Sequence, residues 1–253
     1  MTKNVGGQLV YVGLNNVISV LFDPNYHIAV VNTIVFLAID VNVKVWAALG
    51  IALVMKKPFK GNILVKFVMM VVWAASYIPL LWVWAFMLHP TFGSINYFLK
   101  TMGLIDKPIY FLSDPRISFY VLTLLHVWKN VPFWSIMFLA GLTGIPSHLY
   151  EAAIIDGAGR LQSFRYITLP QLKNLFIINY VLTTIWTSGE FATFQMLTGG
   201  GPFFRTSTIP VYAYINFTSS ATFNIPAASL VPVIPFLLLG ILVVLRTRFF
   251  TFG

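Results

Sequence analysis

Cysteine is absent from all 253 residues, and acidic and basic side chains together make up only 9%. The first absence excludes disulfides, thiolate nucleophiles and thiolate metal sites. The second is a deficit against the roughly 25% of a globular domain. With a mean hydropathy of +0.83 it points to a bilayer as solvent. Acidic residues are scarcest, 7 against 16 basic, which leaves a net charge of +9. Such an excess can serve nucleic acid, but here the lysines and arginines sit in short loops at the ends of apolar runs. That is where membrane-anchoring charges belong, so no nucleic-acid partner is expected. The 4 histidines are scattered, without carboxylates at ligand spacing, and no metal site is expected. A Walker-type phosphate loop is missing, so the chain is not expected to hydrolyse ATP itself. The start, MTKNVGGQLV, has one lysine and no apolar segment behind it, unlike a signal peptide.

What is present is apolar and long. Five runs, roughly 28–55, 62–88, 117–143, 175–196 and 225–245, can each cross about 30 Å of hydrocarbon as a helix. Alternation of period two, the mark of a membrane β-barrel, is missing. The fold class is therefore an all-α integral membrane protein, a polytopic helix bundle with five predicted transmembrane helices. Loop charges orient it. One side collects Lys56, Lys57, Lys60, Lys66, Arg160, Arg165, Lys173, Arg246 and Arg248, and the other only Lys3, Lys100, Lys107, Arg116 and Arg205. The richer side is cytoplasmic, which puts the N-terminus outside and the C-terminus inside. Residues 1–27 then form an external segment, 28–143 the first three membrane helices with an external loop at 88–116, and 174–253 the last two with an external loop at 197–224. Within 88–116, Ile95, Phe98, Leu99 and Met102 recur at helical spacing, as in a short helix along the membrane interface or packed on other external segments.

The segment 144–173 interrupts this pattern. LYEAAIIDGAGRLQSFRYITLPQL, residues 149–172, reads like the surface of a soluble protein. Ser147 is a candidate N-cap, with Glu151 one turn on, for a helix over about 148–156. Gly157-Ala158-Gly159 ends it, and a second short helix follows over about 160–166. Small side chains at Ala152 and Ala153 let such a helix sink into a cleft on another protein, where Glu151 offers a charge-assisted hydrogen bond. An ordinary solvated loop is the plain alternative.

Glu151-Ala152-Ala153, Asp156-Gly157-Ala158, Phe164, Ile167, Leu169 and Pro170 resemble the EAA loop of ABC-importer permease subunits. In that family the loop is a coupling helix seated on an ATP-hydrolysing subunit. The resemblance implies that Glu151, Ala152, Ala153, Asp156, Gly157, Ala158, Leu169 and Pro170 couple to the ATPase. Leu197 to Pro202, LTGGGP, resembles the signature of carbohydrate permeases of the maltose-transporter type. Leu112-Ser113-Asp114-Pro115, Trp128-Lys129 with Pro132-Phe133, and Asn32-Thr33 agree with it, so the likeness spans roughly 14–246. It implies a single transmembrane permease domain over 1–253, of the type I ABC-importer kind. It also implies a second homologous permease, two cytoplasmic ATPase subunits, an external sugar-binding protein and a sugar substrate. No cofactor is expected in this chain, since ATP and magnesium would sit on the ATPase. The family usually carries a sixth helix ahead of the five, so one is expected to be missing here.

Ionisable groups inside a bilayer are costly, and each needs an account. Asp40 and Lys44, four apart, can pair on one helix face. In the fourth run Thr183, Trp186, Thr187 and Glu190 fall at i, i+3, i+4 and i+7, a stripe of hydroxyls, an indole and a carboxylate suited to a sugar. Threonines equally often bond their own helix, and tryptophan packs. Matched through its motifs, the family's sugar contacts fall on this stripe and, on the preceding helix, near His126, Lys129, Asn130 and Phe133. The function expected is a sugar-importer permease. Alternatives are an ABC permease for another solute and a non-ABC polytopic protein. A membrane enzyme would need clustered acids or histidines, and an ion-coupled transporter internal repeats. Neither feature occurs.

Overall fold

The computed structural model describes residues 2–5, 8–11 and 15–219. The predicted fifth membrane run, 225–245, lies outside the described residues. The first departure from an all-helical chain is at the start, where β1 (Thr2–Val5) and β2 (Gln8–Tyr11) pair antiparallel, Thr2 opposite Tyr11 and Val5 opposite Gln8. Gly6-Gly7 separates them in sequence, a dipeptide that short hairpins favour. Period-two alternation over four residues is too short a signal to set against a polar, aromatic background.

Every other element is helical: α1 (Asn15–Leu21), α2 (Pro24–Lys56), α3 (Asn62–Ala74), α4 (Tyr77–Met87), α5 (Ser94–Thr101) and α6 (Ser118–Thr143). They are followed by α7 (Ser147–Ile155), α8 (Arg160–Ser163), a π-helical turn at Phe164–Thr168, α9 (Leu169–Gln171), α10 (Lys173–Ser188), α11 (Ala192–Thr198) and α12 (Ile209–Ser219). The 33 residues of α2 give about 50 Å of helix, more than a bilayer core requires. It is the one described helix long and apolar enough to span alone, and α3 and α4 together pass the same test as a broken pair.

That break corrects the uninterrupted helix expected over 62–88. Ala75 and Ser76 have ψ of 140° and 132°, extended backbone that ends α3 and starts α4. Pro79 is the cue: it has no N–H to give and is tolerated only in the first turn of the new helix. The run expected over 175–196 is likewise two helices, α10 and α11, parted at Gly189-Glu190-Phe191.

The contacts divide the chain into two compact units. In the first (1–39, 76–125 and 185–253), Phe36, Phe119, Leu122, Phe194 and Val211 form a buried cluster. A second cluster joins Val20, Tyr26, Ala29, Ile209 and Tyr212. In the second unit (40–75 and 126–184), Phe138 and Trp46 pack against Phe176, and the Tyr180 hydroxyl donates to Asn42 Oδ1 at 3.0 Å. Surfaces run opposite to those of a soluble protein. No residue of α3 is buried, and Ile63 is 84% exposed. Asp40, Lys44, Thr123 and Ser135 are buried. Such an apolar exterior belongs against lipid.

Candidate functional site

The exposed segment 144–173 folds as a helix, a glycine turn and a second helical stretch. Pro146, not Ser147, holds the N-cap position of α7, and no side chain caps it, because the pyrrolidine ring carries no acceptor. The other end is fully capped. Ala158 N–H donates to Ala153 O at 2.8 Å and Gly157 N–H to Ile154 O at 3.0 Å, the paired bonds of a Schellman turn. Gly157 supplies its left-handed residue, φ +78°. At the start of α8, Gln162 Oε1 accepts from Gly159 N–H at 2.7 Å, half of a capping box. Glu151, Ala152, Asp156, Gly157 and Pro170 are exposed, while Ala153, Ala158 and Leu169 are half-buried. Around them Ile155, Leu161 and Tyr166 are 85%, 78% and 70% exposed, an apolar patch that the sequence motif does not single out.

The predicted membrane residues fall into separate settings. In the second unit Asp40 is fully buried, with His126 Nδ1 donating to Oδ1 at 2.7 Å and Lys44 Nζ to Oδ2 at 2.6 Å. The pair expected between Asp40 and Lys44 is thus a triad that includes a predicted sugar contact. Lys129 Nζ donates to the carbonyls of Val72 (2.9 Å), Ala75 (3.0 Å) and Trp73. An ammonium at the end of α3 meets the unpaired carbonyls there. One turn on, Phe133 stacks on the Trp73 indole at 4.9 Å and 22°. Asn130 donates to its own helix at His126 O. Thr183 is fully buried, and its hydroxyl has no partner among the described residues.

In the first unit Thr187 is buried but Trp186 is 53% exposed. Glu190 lies beyond the end of α10 at Ser188, so the predicted stripe does not continue along one helix as far as Glu190. Its Oε1 accepts from Thr193 N–H and Oγ1, both at 2.7 Å, and from Tyr77 Oη at 3.4 Å. Tyr77 Oη also lies 2.6 Å from Thr193 Oγ1, joining the first turn of α4 to that of α11. Sequence reasoning missed Tyr77 and Thr193. The signal was the Ser76-Tyr77-Ile78-Pro79 break.

The LTGGGP turn closes the same unit. Gly199 and Gly200 have φ of +59° and +83°, and a Cβ on Gly200 would lie 3.1 Å from Val211 and 3.2 Å from Ile215. Only glycine suits both demands. Asn32 Nδ2 donates to the carbonyls of Phe204, Arg205 and Ser207 at 3.2, 3.1 and 2.9 Å. Thr33 Oγ1 accepts from Ile209 N–H at 2.9 Å while donating to Ala29 O. Asn32-Thr33 thus holds the stretch 204–209 that follows the LTGGGP turn. In the 88–116 loop Asn96 is buried and exchanges bonds with Ile109, 2.8 Å and 3.0 Å, while Phe98 and Met102 of the predicted apolar face stay exposed. Side-chain and backbone bonds from Arg116 hold the Asp114 carboxyl below the usual carboxylate range. That contribution is present above the ordinary carboxylate pKa and fades as pH falls through the lowered one.

A family model described as binding-protein-dependent transport system inner membrane component matches residues 47–251. The trehalose/maltose transport system permease protein MalF of Thermococcus litoralis is 33% identical over 218 residues, 86% of this chain and 73% of that protein. The sulfoquinovosyl glycerol transport system permease protein SmoG of Agrobacterium fabrum is 33% identical over 211 residues, 83% of this chain and 67% of that one. Among solved structures, a bacterial ABC transporter involved in import of the acidic polysaccharide alginate has a TM-score of 0.84 at 22% identity. It covers 95% of this chain and 85% of its own, a likeness of fold. The chain belongs to the family of inner membrane components of binding-protein-dependent transport systems, whose members are non-catalytic permease subunits.

Proposed function

We propose that this chain forms half of the translocation pathway of an ATP-driven, binding-protein-dependent sugar importer in the plasma membrane. Five segments cross the bilayer, the second and fourth of them as broken helices, with the N-terminus outside and the C-terminus cytoplasmic. A second homologous permease completes the path, and two ATPase subunits on the cytoplasmic side hold ATP and magnesium. An external sugar-binding protein delivers the substrate. Sugar as cargo is supported by relatives named for trehalose/maltose and sulfoquinovosyl glycerol. A second alginate-transporter structure, in complex with a pentasaccharide-bound periplasmic protein, supports the delivery step.

The observation that carries the coupling role is the exposed segment around α7. Glu151 and Ala152 face outward beside Ile154, Ile155 and Leu161, a polar handle rimmed by apolar side chains that a protein groove would bury. Glu151, Ala152, Ala153, Asp156, Gly157, Ala158, Leu169 and Pro170 make up this docking element. When ATP closes the ATPase dimer, the two docked loops approach and the cavity turns outward, one of two states favoured by differential binding. For substrate contact the reading takes His126, Lys129, Asn130, Phe133, Thr183, Trp186, Thr187 and Glu190. The buried hydroxyl of Thr183, without a partner among the described residues, supports this reading, since a sugar hydroxyl would satisfy it.

The absence of cysteine makes the test clean. Ile155→Cys, labelled in native vesicles with a maleimide–benzophenone crosslinker and illuminated, is expected to give an adduct with a P-loop-containing chain. Glu151→Lys is expected to insert normally yet lose uptake. If Ile155→Cys yields no such adduct while a control cysteine at position 107 reacts with external maleimide, the docking role is overturned.

A further inference from the structure

Tyr150 sits immediately before the exposed Glu151, and it is half-buried. Its ring lies under the Lys56 ammonium, 4.5 Å from Nζ to the ring centre. Its hydroxyl is 2.9 Å from Oγ1 of Thr168, itself buried in the π-helical turn. One side chain therefore ties α7 to two neighbours: Lys56 at the end of α2, and the π-helical turn on the way to α10. The motif accounts for α7 as the link between α6 and α10, which flank it in sequence. It says nothing of α2, ninety residues earlier.

We propose that the Lys56–Tyr150 contact is a clamp that makes α2 move with the coupling helix, so that Tyr150 is a positioning residue for coupling. The inference rests on reading 144–173 as the ATPase-docking element. A displacement of α7 by a docked partner is carried along the chain to α6 and α10 and, through this contact, sideways to the cytoplasmic end of α2. The cation–aromatic contact is suited to such a joint. It tolerates small rotations of the ring while keeping the ammonium over its face, unlike a hydrogen bond that fails as its angle closes. The hydroxyl–hydroxyl bond to Thr168 fixes the ring plane against which the ammonium sits.

The experiment uses the complete transporter, purified through a tag on this chain and reconstituted in lipid. Spin labels are placed on Lys57→Cys and His148→Cys, both at exposed positions. Their separation is measured nucleotide-free and after trapping with ATP, magnesium and vanadate. With the clamp intact the distance is expected to be the same and narrow in both states. In Lys56→Met and Tyr150→Leu it is expected to broaden and to differ between states, with ATP-driven uptake lowered roughly two- to fivefold. The double variant is expected to do no worse than either single one, and Lys56→Arg to restore the narrow distribution, since guanidinium serves the same ring. State-independent narrow distances in both single variants, or failure of Lys56→Arg to rescue, overturn the clamp. Retention of the ATPase subunits by the tagged complex is scored separately. Retention in the clamp variants together with its loss in Glu151→Lys keeps the docking reading standing whichever way the distances fall, and undiminished retention in Glu151→Lys removes docking itself.

Discussion

Lys129 shows how a residue picked for one role is held by another. The family resemblance marks it as a sugar contact, while nothing near it in sequence explains a charge inside an apolar run. The structure supplies the explanation from α3: three carbonyls at a helix end, all aimed at one ammonium. Lys129→Met would leave those carbonyls without a donor where Lys129 is only 5% exposed. Unfolding in detergent is expected to show a loss of about 3 kcal/mol, with Lys129→Arg recovering part of it. A variant as stable as the parent would mean the carbonyls find other donors. His126 follows the same pattern, legible as polar but not as the third member of a triad with Asp40 and Lys44. Long-range partners of a single side chain are what a sequence hides best.

At the scale of elements, most of the architecture was legible. The first four apolar runs became α2, α3 with α4, α6 and α10 with α11, and the glycine turn after α7 fell on Gly157. Breaks were the harder part. Hydropathy averages across Ala75-Ser76 and across Gly189-Glu190 without registering either, because the apolar content does not change where the hydrogen bonding does. The expected stripe ending at Glu190 failed for that reason. Helix packing offers a sharper test. A Cβ on Gly141 of α6 would lie 2.3 Å from Leu175 Cδ2 and 3.1 Å from Leu172 Cδ2 of the following segment. Gly141→Val is expected to cost about 1–3 kcal/mol of thermal stability through overpacking. Gly50→Ala, in the interior of α2 with nothing within 4 Å, is expected to gain about 0.5–1 kcal/mol. Equal effects at the two sites would argue against close approach at Gly141.

For the whole molecule the decisive signal was compositional. A chain with so few charges can only be buried in lipid, and where its basic residues fall gives a topology that labelling can test. In right-side-out vesicles, Lys107→Cys is expected to react with an impermeant maleimide and Ile155→Cys only after the membrane is opened. The reverse pattern would invert the proposed orientation. What composition could not convey is how distant motifs meet. Nothing in the sequence ties Asn32-Thr33 to the segment after LTGGGP, yet the fold joins Asn32 to the carbonyls of Phe204, Arg205 and Ser207, and Thr33 to Ile209 N–H.

That junction has a bearing on biogenesis. Chains leave the ribosome from the N-terminus, so the Asn32 carboxamide enters the membrane long before the carbonyls it serves exist. Thr33 waits for an amide 176 positions later. A nascent polypeptide halted short of residue 204 presents, on its earliest long helix, an Asn32 carboxamide without those carbonyls and a Thr33 oxygen without that amide. Quality-control proteases would have a ready means of telling an unfinished product from a finished one.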